Sequence, residues 1–207
     1  MSWDKGLTEE QKHAASITGR HVRLLAGPGT GKTTCITSRV VYLISEKNVK
    51  PENIIVLTFT RAAASELRER IANELETLPA TIKVQTLHSY ALTTLLQSRN
   101  SNRLPLPIRI ADDYEQEKII YPEIGRLLSI KEVKEVKMFF SNMESNWQKL
   151  DGNNIPSAKY SKFLGAWQKT RQTYGYTLRS ELLYQLNQAF TDGAIIPEAF
   201  SHVIVDE

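Results

Sequence analysis

The most informative stretch of the chain is residues 22–33, which read Val22-Arg23-Leu24-Leu25-Ala26-Gly27-Pro28-Gly29-Thr30-Gly31-Lys32-Thr33. A short apolar run that stops at glycines is typical of a buried strand, and the apolar spacing from Lys32 to Glu46 predicts a helix directly after it. Glycines let backbone N–H groups turn inward and contact phosphate oxygens without interference from a Cβ atom. The pattern therefore predicts a phosphate-binding P-loop between a strand and a helix.

This loop assigns roles to individual side chains. Lys32 would bring a positive charge to the terminal phosphates, and Thr33 would place a hydroxyl on Mg²⁺. The dipole of the following helix favours an anion at the same point. The usual pattern opens with glycine, whereas Ala26 stands there in this chain. A glycine-rich turn that binds no phosphate is the alternative, and the flanking strand and helix argue against it.

An acidic pair, Asp206-Glu207, follows the apolar run Val203-Ile204-Val205. At the end of a strand beside a P-loop, an aspartate can hold the metal through its water shell. A glutamate there can orient or deprotonate an attacking water molecule. After a buried strand in a P-loop protein, we therefore expect Asp206 and Glu207 to belong to the phosphate site.

The first hundred residues alternate strands with helices. Apolar runs predict strands at 54–59 and 81–86, and helical spacing predicts helices at 62–78 and 87–97. Continuous apolar strands separated by helices imply an α/β fold with a parallel sheet between helices. The run 202–205 returns to the strand pattern.

The middle of the chain has a different character. After Leu104-Pro105-Leu106-Pro107, helices are predicted at 112–128, 131–143, 157–174 and 178–190, with no strand between them. We therefore predict an α/β domain formed by residues 1–104 and 196–207, interrupted by a helical insertion subdomain of residues 105–195.

Composition narrows the class of protein. The 207 residues are 41% hydrophobic and 24% charged, which is typical of folded soluble proteins and excludes a disordered or collagen-like chain. Cys35 is the single cysteine, so no intrachain disulfide can form. The polar N-terminus is unlike a signal peptide, and no apolar run approaches a membrane span of about 20 residues. We expect a cytoplasmic protein with no membrane partner.

Charge is unevenly distributed along the chain. Residues 118–180 hold eleven Lys and Arg against five Asp and Glu, although the whole chain carries a net charge of only +3. A basic segment can bind a polyanion such as nucleic acid, and it can equally be a solvated helical surface. Aromatic residues lie among these basic ones, and we expect most of them to be core residues.

Three more stretches complete a set of motifs: Leu7-Thr8-Glu9-Glu10-Gln11, the run from Leu57 to Leu67, and Thr86-Leu87-His88-Ser89. Together with the P-loop and the acidic pair, they resemble the Q motif and motifs I, Ia, Ib and II of the UvrD/PcrA/Rep-like superfamily 1 DNA helicases. The family's nucleotide loop commonly begins with alanine, as here. Many members have Asn-Lys where this chain has Arg61-Ala62.

The resemblance implies a RecA-like ATP-binding domain and a set of site residues. ATP would be bound by Gln11, Ala26, Gly27, Pro28, Gly29, Thr30, Gly31, Lys32, Thr33, Thr34 and Arg39. Gln11 would recognise adenine, Thr33 and Asp206 would hold Mg²⁺, and Lys32 and Glu207 would be catalytic. Single-stranded DNA would be contacted by Thr58, Phe59, Thr60, Arg61, Thr86 and His88.

The activity implied is that of an ATP-dependent helicase that moves on single-stranded DNA and unwinds duplex at junctions. It would need a second motor domain from the rest of its own chain, so these residues alone would be inactive. Two other readings stay open from the residues: a P-loop kinase or GTPase-type enzyme acting on a small molecule, and a nucleotide-binding module without hydrolysis.

Overall fold

A computed structural model describes residues 3–19, 21–27, 29–76, 81–97, 104–150 and 157–206. The chain divides into two compact units, one formed by residues 1–90 with 198–207 and the other by residues 91–197. The predicted insertion, residues 105–195, lies inside the second unit.

The first unit is built on a three-stranded parallel sheet. Its strands are β1 (Ile54–Thr58), β2 (Lys83–Thr86) and β5 (His202–Val205), in the order β2-β1-β5. All five residues of β1 are buried, as expected of a central parallel strand. The register sets Leu57 opposite Gln85 on one side and Val205 on the other, so all three strands end at the same edge of the sheet.

The helices of this unit are α1 (Glu9–Ser16), α2 (Lys32–Ser45), α3 (Arg61–Glu74) and the start of α4 (Leu87–Gln97). Side chains that accept from backbone N–H groups begin two of them, Thr8 before α1 and Thr60 before α3. The core between the helices and the sheet contains Val40, Leu43, Ile54, Val56, Leu67 and Ile71, all completely or almost completely buried.

The prediction of a strand at residues 22–26 is wrong. Residues 21–27 form no regular element, and Val22, Leu24 and Leu25 are 48%, 43% and 79% exposed. The physical reason is that an apolar run becomes a strand only when a neighbour supplies hydrogen bonds. Among the described residues, the sheet has the order β2-β1-β5, and residues 21–27 pair with neither of its edge strands.

The second unit is mainly helical. It contains the rest of α4, then α5 (Asp113–Glu115), α6 (Tyr121–Leu128), α7 (Val133–Gln148), α8 (Ala158–Tyr174) and α9 (Glu181–Thr191), with a wider π-helical turn at Gln116–Ile120. Its core is aromatic, since the Phe140 ring packs edge-on against Phe163 at 5.0 Å and against Trp167 at 5.3 Å between ring centroids. Tyr160, Trp167 and Tyr176 are buried, as predicted for most of these aromatics.

The prediction that this region has no strand is also wrong. Two short parallel strands, β3 (Arg109–Ile110) and β4 (Tyr176–Thr177), pair with each other. Each has only two residues, which is too short for an alternating pattern to appear in the sequence. They nevertheless join the segment before α5 to the segment between α8 and α9.

Two predictions are confirmed: the α/β class with a parallel sheet between helices, and a mainly helical insertion. The predicted helices at 32–46, 87–97 and 157–174 match the observed helices to within one residue at each end. Within the described residues, no helix is both long and apolar enough to span a membrane.

Candidate nucleotide-binding site and strand-end surface

The glycine loop closes on itself through Thr30. The Thr30 hydroxyl donates to the Gly27 carbonyl at 2.8 Å, and the Thr30 N–H points to the same carbonyl at 3.4 Å. Gly29 and Gly31 have φ values of +74° and +90°, a backbone region that a side chain makes costly. These two positions therefore explain why the loop needs glycine. Pro28 lies outside the described residues.

Helix α2 begins directly after this loop. Gly31 is its N-cap, and no described side chain caps it, so the first N–H groups of the helix remain available to a ligand. Lys32, Thr33 and Thr34 form the first turn and are half-buried. An uncapped helix start, a lysine and a hydroxyl at one point form an arrangement suited to a phosphate group.

Gln11 lies against this loop. It is the third residue of α1, and its Nε2 donates to the Thr30 carbonyl at 3.1 Å while its Oε1 accepts from the Thr8 N–H at 3.0 Å. The structure therefore brings the Q-motif glutamine and the P-loop into direct contact. Thr8 was not singled out by the sequence reasoning, although a threonine three residues before a glutamine is a capping-box signature.

Arg39 joins α2 to α1. Its Nη1 donates to the Ala15 carbonyl at 2.9 Å and to the Ile17 carbonyl, both at the end of α1. Carbonyls there have no partner within the helix, and a cation favours that end of the dipole. Burial lowers the pKa of Arg39. In this arrangement the guanidinium holds α1 in place, which in turn places Gln11.

The segment after β1 forms an exposed turn. Thr58 is fully buried, and its hydroxyl donates to the Thr60 carbonyl at 2.9 Å. The Thr60 hydroxyl accepts from the Ala63 N–H at 3.1 Å and so begins α3. Between them Phe59 is 57% exposed, and Arg61 is also exposed. The turn is therefore fixed at both ends and presents an aromatic ring to solvent.

The adjacent strand ends in the same way. Thr86, opposite Thr58 in the register, accepts from the Ser89 N–H at 3.1 Å, and His88 is half-buried in the first turn of α4. On the other side of β1, the Asp206 N–H donates to the Leu57 carbonyl at 2.8 Å. The predicted DNA-contacting residues and Asp206 thus lie at or just after the carboxyl ends of three neighbouring parallel strands, where open α/β sheets bind ligands.

Mg²⁺ needs only a few ligands from the protein. It keeps several waters and is bound by one or two protein oxygens together with phosphates. The Thr33 hydroxyl in the first turn of α2 and the Asp206 carboxylate after β5 are ligands of this kind. Within the described residues, no cluster of three or more His, Cys, Asp or Glu side chains could hold a metal by itself. Glu207 lies outside the described residues.

A parallel sheet, with a glycine loop opening one of its helices, defines the class of P-loop nucleotide-binding proteins. More particularly, the sequence matches the UvrD/REP helicase N-terminal domain over residues 7–207. The chain therefore belongs to the UvrD/REP helicase family.

The names of two relatives are consistent with this family. The chain is 32% identical over 116 residues to the "ATP-dependent DNA helicase PcrA" of Staphylococcus epidermidis strain ATCC 35984, which covers 56% of this chain and 16% of the relative. It is also 32% identical over 114 residues to the protein of the same name from Staphylococcus aureus strain Mu50, with 55% and 16% covered. The matched stretch thus spans less than a fifth of the length of these relatives.

Proposed function

We propose that this chain is the ATP-binding part of an ATP-dependent DNA helicase or translocase that moves on single-stranded DNA. The observation that carries the proposal is the closed glycine loop followed by the uncapped start of α2, with Lys32 in its first turn. Membership of the UvrD/REP helicase family supports this function over a small-molecule kinase or a GTPase.

In this proposal the first N–H groups of α2 and Lys32 bind the phosphates of ATP. Thr33 and Asp206 hold Mg²⁺, which supplies positive charge to the phosphate oxygens when it is bound. Glu207 orients or deprotonates the attacking water. Gln11 recognises the adenine base, since an amide can donate to and accept from one adenine edge.

Single-stranded DNA crosses the carboxyl ends of β1 and β2. The exposed Phe59 ring serves as a stacking surface for a base, and Thr60, Arg61 and His88 lie close to it in sequence or register. Thr58 and Thr86 are buried and brace the two turns. The basic segment 118–180 adds charge for the phosphates of a duplex junction.

The same proposal includes a second motor domain and a cytoplasmic location. The relatives are about six times as long as the matched region, which leaves room for such a domain. Unwinding of duplex DNA would belong to that longer protein.

The first test is nucleotide binding. Lys32→Ala should weaken the binding of Mg²⁺ with a non-hydrolysable ATP analogue by about 1.5–3 kcal/mol, because a charge-assisted hydrogen bond to phosphate is lost. Titration calorimetry on the 207-residue chain measures this change. GTP should bind more weakly than ATP in the same assay.

Lys47→Ala is the matched control, because Lys47 follows the opposite end of the same helix. It should leave the affinity unchanged. Equal affinity in the Lys32→Ala protein and the unchanged chain would contradict the assignment of the loop.

A further inference from the structure

The side-chain amide of Gln11 is bound at both ends. The Thr8 N–H can only donate and the Thr30 carbonyl can only accept, so the two partners fix Oε1 toward Thr8 and Nε2 toward Thr30. The amide therefore links the start of α1 to the last peptide of the glycine loop. One N–H and one lone pair of the amide remain for a base.

The bond to Thr30 determines where the next N–H points. The peptide between Thr30 and Gly31 is planar and trans, so its carbonyl and its N–H point in opposite directions. Because Gln11 binds the carbonyl on one side of the loop, the Gly31 N–H is directed to the other side. A hydrogen bond on a carbonyl also polarises the N–H of the same peptide.

The loop is shaped around this amide. A Cβ atom on Gly31 would lie 2.6 Å from Gln11 Nε2, a distance that real Cβ atoms essentially never show, so the amide would have to move away from the loop. The φ of +90° at Gly31 belongs to the same peptide. The hydrogen bond and the absence of a Cβ atom both reflect the same close approach of the Gln11 amide to this peptide.

We propose that Gln11 is a positioning residue for the phosphate loop, in addition to any contact with the base. It orients the Gly31 N–H toward the phosphates and so acts even on a ligand that has no base. This inference rests on the proposed ATP site. It makes base recognition and phosphate binding depend on one side chain.

A ligand without a base separates the two roles. Inorganic tripolyphosphate with Mg²⁺ is titrated into the 207-residue chain by calorimetry, and ATP is titrated in parallel. Gln11→Met keeps the length of the side chain and removes both hydrogen bonds. We expect it to raise the dissociation constant of tripolyphosphate about threefold to tenfold, the effect of one lost hydrogen bond.

Thr8→Ala is the matched control. It removes the hydroxyl that accepts from the Gln11 N–H, and so weakens the same helix start, but leaves the Gln11 amide and the Thr8 N–H in place. Its affinity for tripolyphosphate should stay within about twofold of the unchanged chain. A second readout is the amide resonance of Gly31, which should shift in Gln11→Met and remain in place in Thr8→Ala.

The outcomes are distinct. If Gln11→Met weakens ATP but not tripolyphosphate, the glutamine acts on the base alone and the inference is overturned. If the unchanged chain binds neither ligand, the proposed function itself fails and the inference with it. Should Gln11→Met not fold, Gln11→Asn replaces it, since its amide is one methylene too short for Thr30, and the same weakening is expected.

Discussion

Phe59 differs from the residues before it because it lies just past the last pair of the sheet. β1 is buried from end to end, yet the next side chain is 57% exposed. The buried Thr58 hydroxyl and the Thr60 cap hold the backbone on both sides of it. An exposed aromatic ring on a rigid turn loses little entropy when it stacks on a base, which is the physical basis of the proposed DNA contact.

Phe59→Ala should therefore weaken single-stranded DNA binding by about 1–3 kcal/mol. Stacking releases no counterions, so the slope of affinity against salt should stay the same, while Arg61→Ala should reduce it by about 0.7. Fluorescence anisotropy at several salt concentrations measures both quantities.

Tyr114→Ala is the control, since this ring is 69% exposed but lies in the other unit. Because Phe59 is exposed, its loss should leave thermal stability unchanged. A Phe59→Ala protein that binds DNA as tightly as the unchanged chain would contradict the stacking role.

His202, at the start of β5, gives the fold a sensitivity to acid. Partial burial, and then the charge of Arg39, lower its pKa below the usual 6.5. A histidine with a depressed pKa in the folded state stabilises the fold above its unfolded pKa and loses that contribution as the pH falls. The midpoint of urea unfolding should therefore decrease between pH 7.5 and pH 5.5.

His202→Gln should make this decrease smaller, because glutamine does not titrate. The comparison is made by measuring the urea midpoint of both proteins at both pH values. If the two proteins lose stability equally, another group is responsible for the acid sensitivity.

At the scale of elements, α8 and α9 are joined by a buried ion pair. Arg171 Nη1 lies 2.7 Å from Glu181 Oε1, and their side chains are only 9% and 0% exposed. Burial raises the pKa of Glu181, and Arg171 and Gln185 oppose this by stabilising the carboxylate. Desolvation thus outweighs the pairing, which makes the pair more a constraint on helix position than a source of stability.

Glu181→Leu should destabilise the protein by about 3–5 kcal/mol, because it removes the carboxylate that faces the buried Arg171 guanidinium. The double variant with Arg171→Met should recover most of that loss, since no buried charge remains. Urea unfolding at pH 7 of both single variants and the double variant measures the coupling.

The control is the more accessible pair of Arg126 and Glu123, 2.7 Å apart within α6, whose side chains are 69% and 23% exposed. Glu123→Leu should cost less than about 1 kcal/mol. Strictly additive effects of Arg171→Met and Glu181→Leu would contradict the interpretation of their contact.

For the molecule as a whole, the elements that the sequence predicts correctly are those whose signals lie within the element itself. The helix at 157–174 has a Ser157 cap, a buried face and a glycine at its end, all within its own sequence. The apolar run at 22–26 lacked only a partner strand, and β3 and β4 pair across more than sixty residues. A strand forms only against a partner strand, which can lie far away in the sequence. The apolar periodicity of a segment carries no information about that partner.

Within the candidate site, too, some residues could be predicted from local spacing and others depend on distant contacts. The loop glycines and Lys32 could be predicted because their spacing is local, whereas the strand-end residues were assigned through the family resemblance. The contact of Gln11 with Thr30 spans 19 residues and exists only because α1 packs on α2. Likewise, the resemblance assigns Arg39 to the nucleotide site, and the contact of its guanidinium with the end of α1 spans 24 residues.

The position of Arg39 bears on whether this chain can hydrolyse ATP alone. Of the two basic residues assigned to the nucleotide site, Arg39 is engaged by the Ala15 and Ile17 carbonyls, which leaves Lys32 to meet the γ-phosphate. In related hydrolases an arginine from across a closed cleft contributes roughly 10³–10⁵ in rate. The 207-residue chain should therefore bind ATP but release phosphate slowly, with or without single-stranded DNA. Phosphate release is measured beside nucleotide affinity, with the Staphylococcus aureus relative as the positive control, and rapid hydrolysis by this chain alone would contradict the prediction.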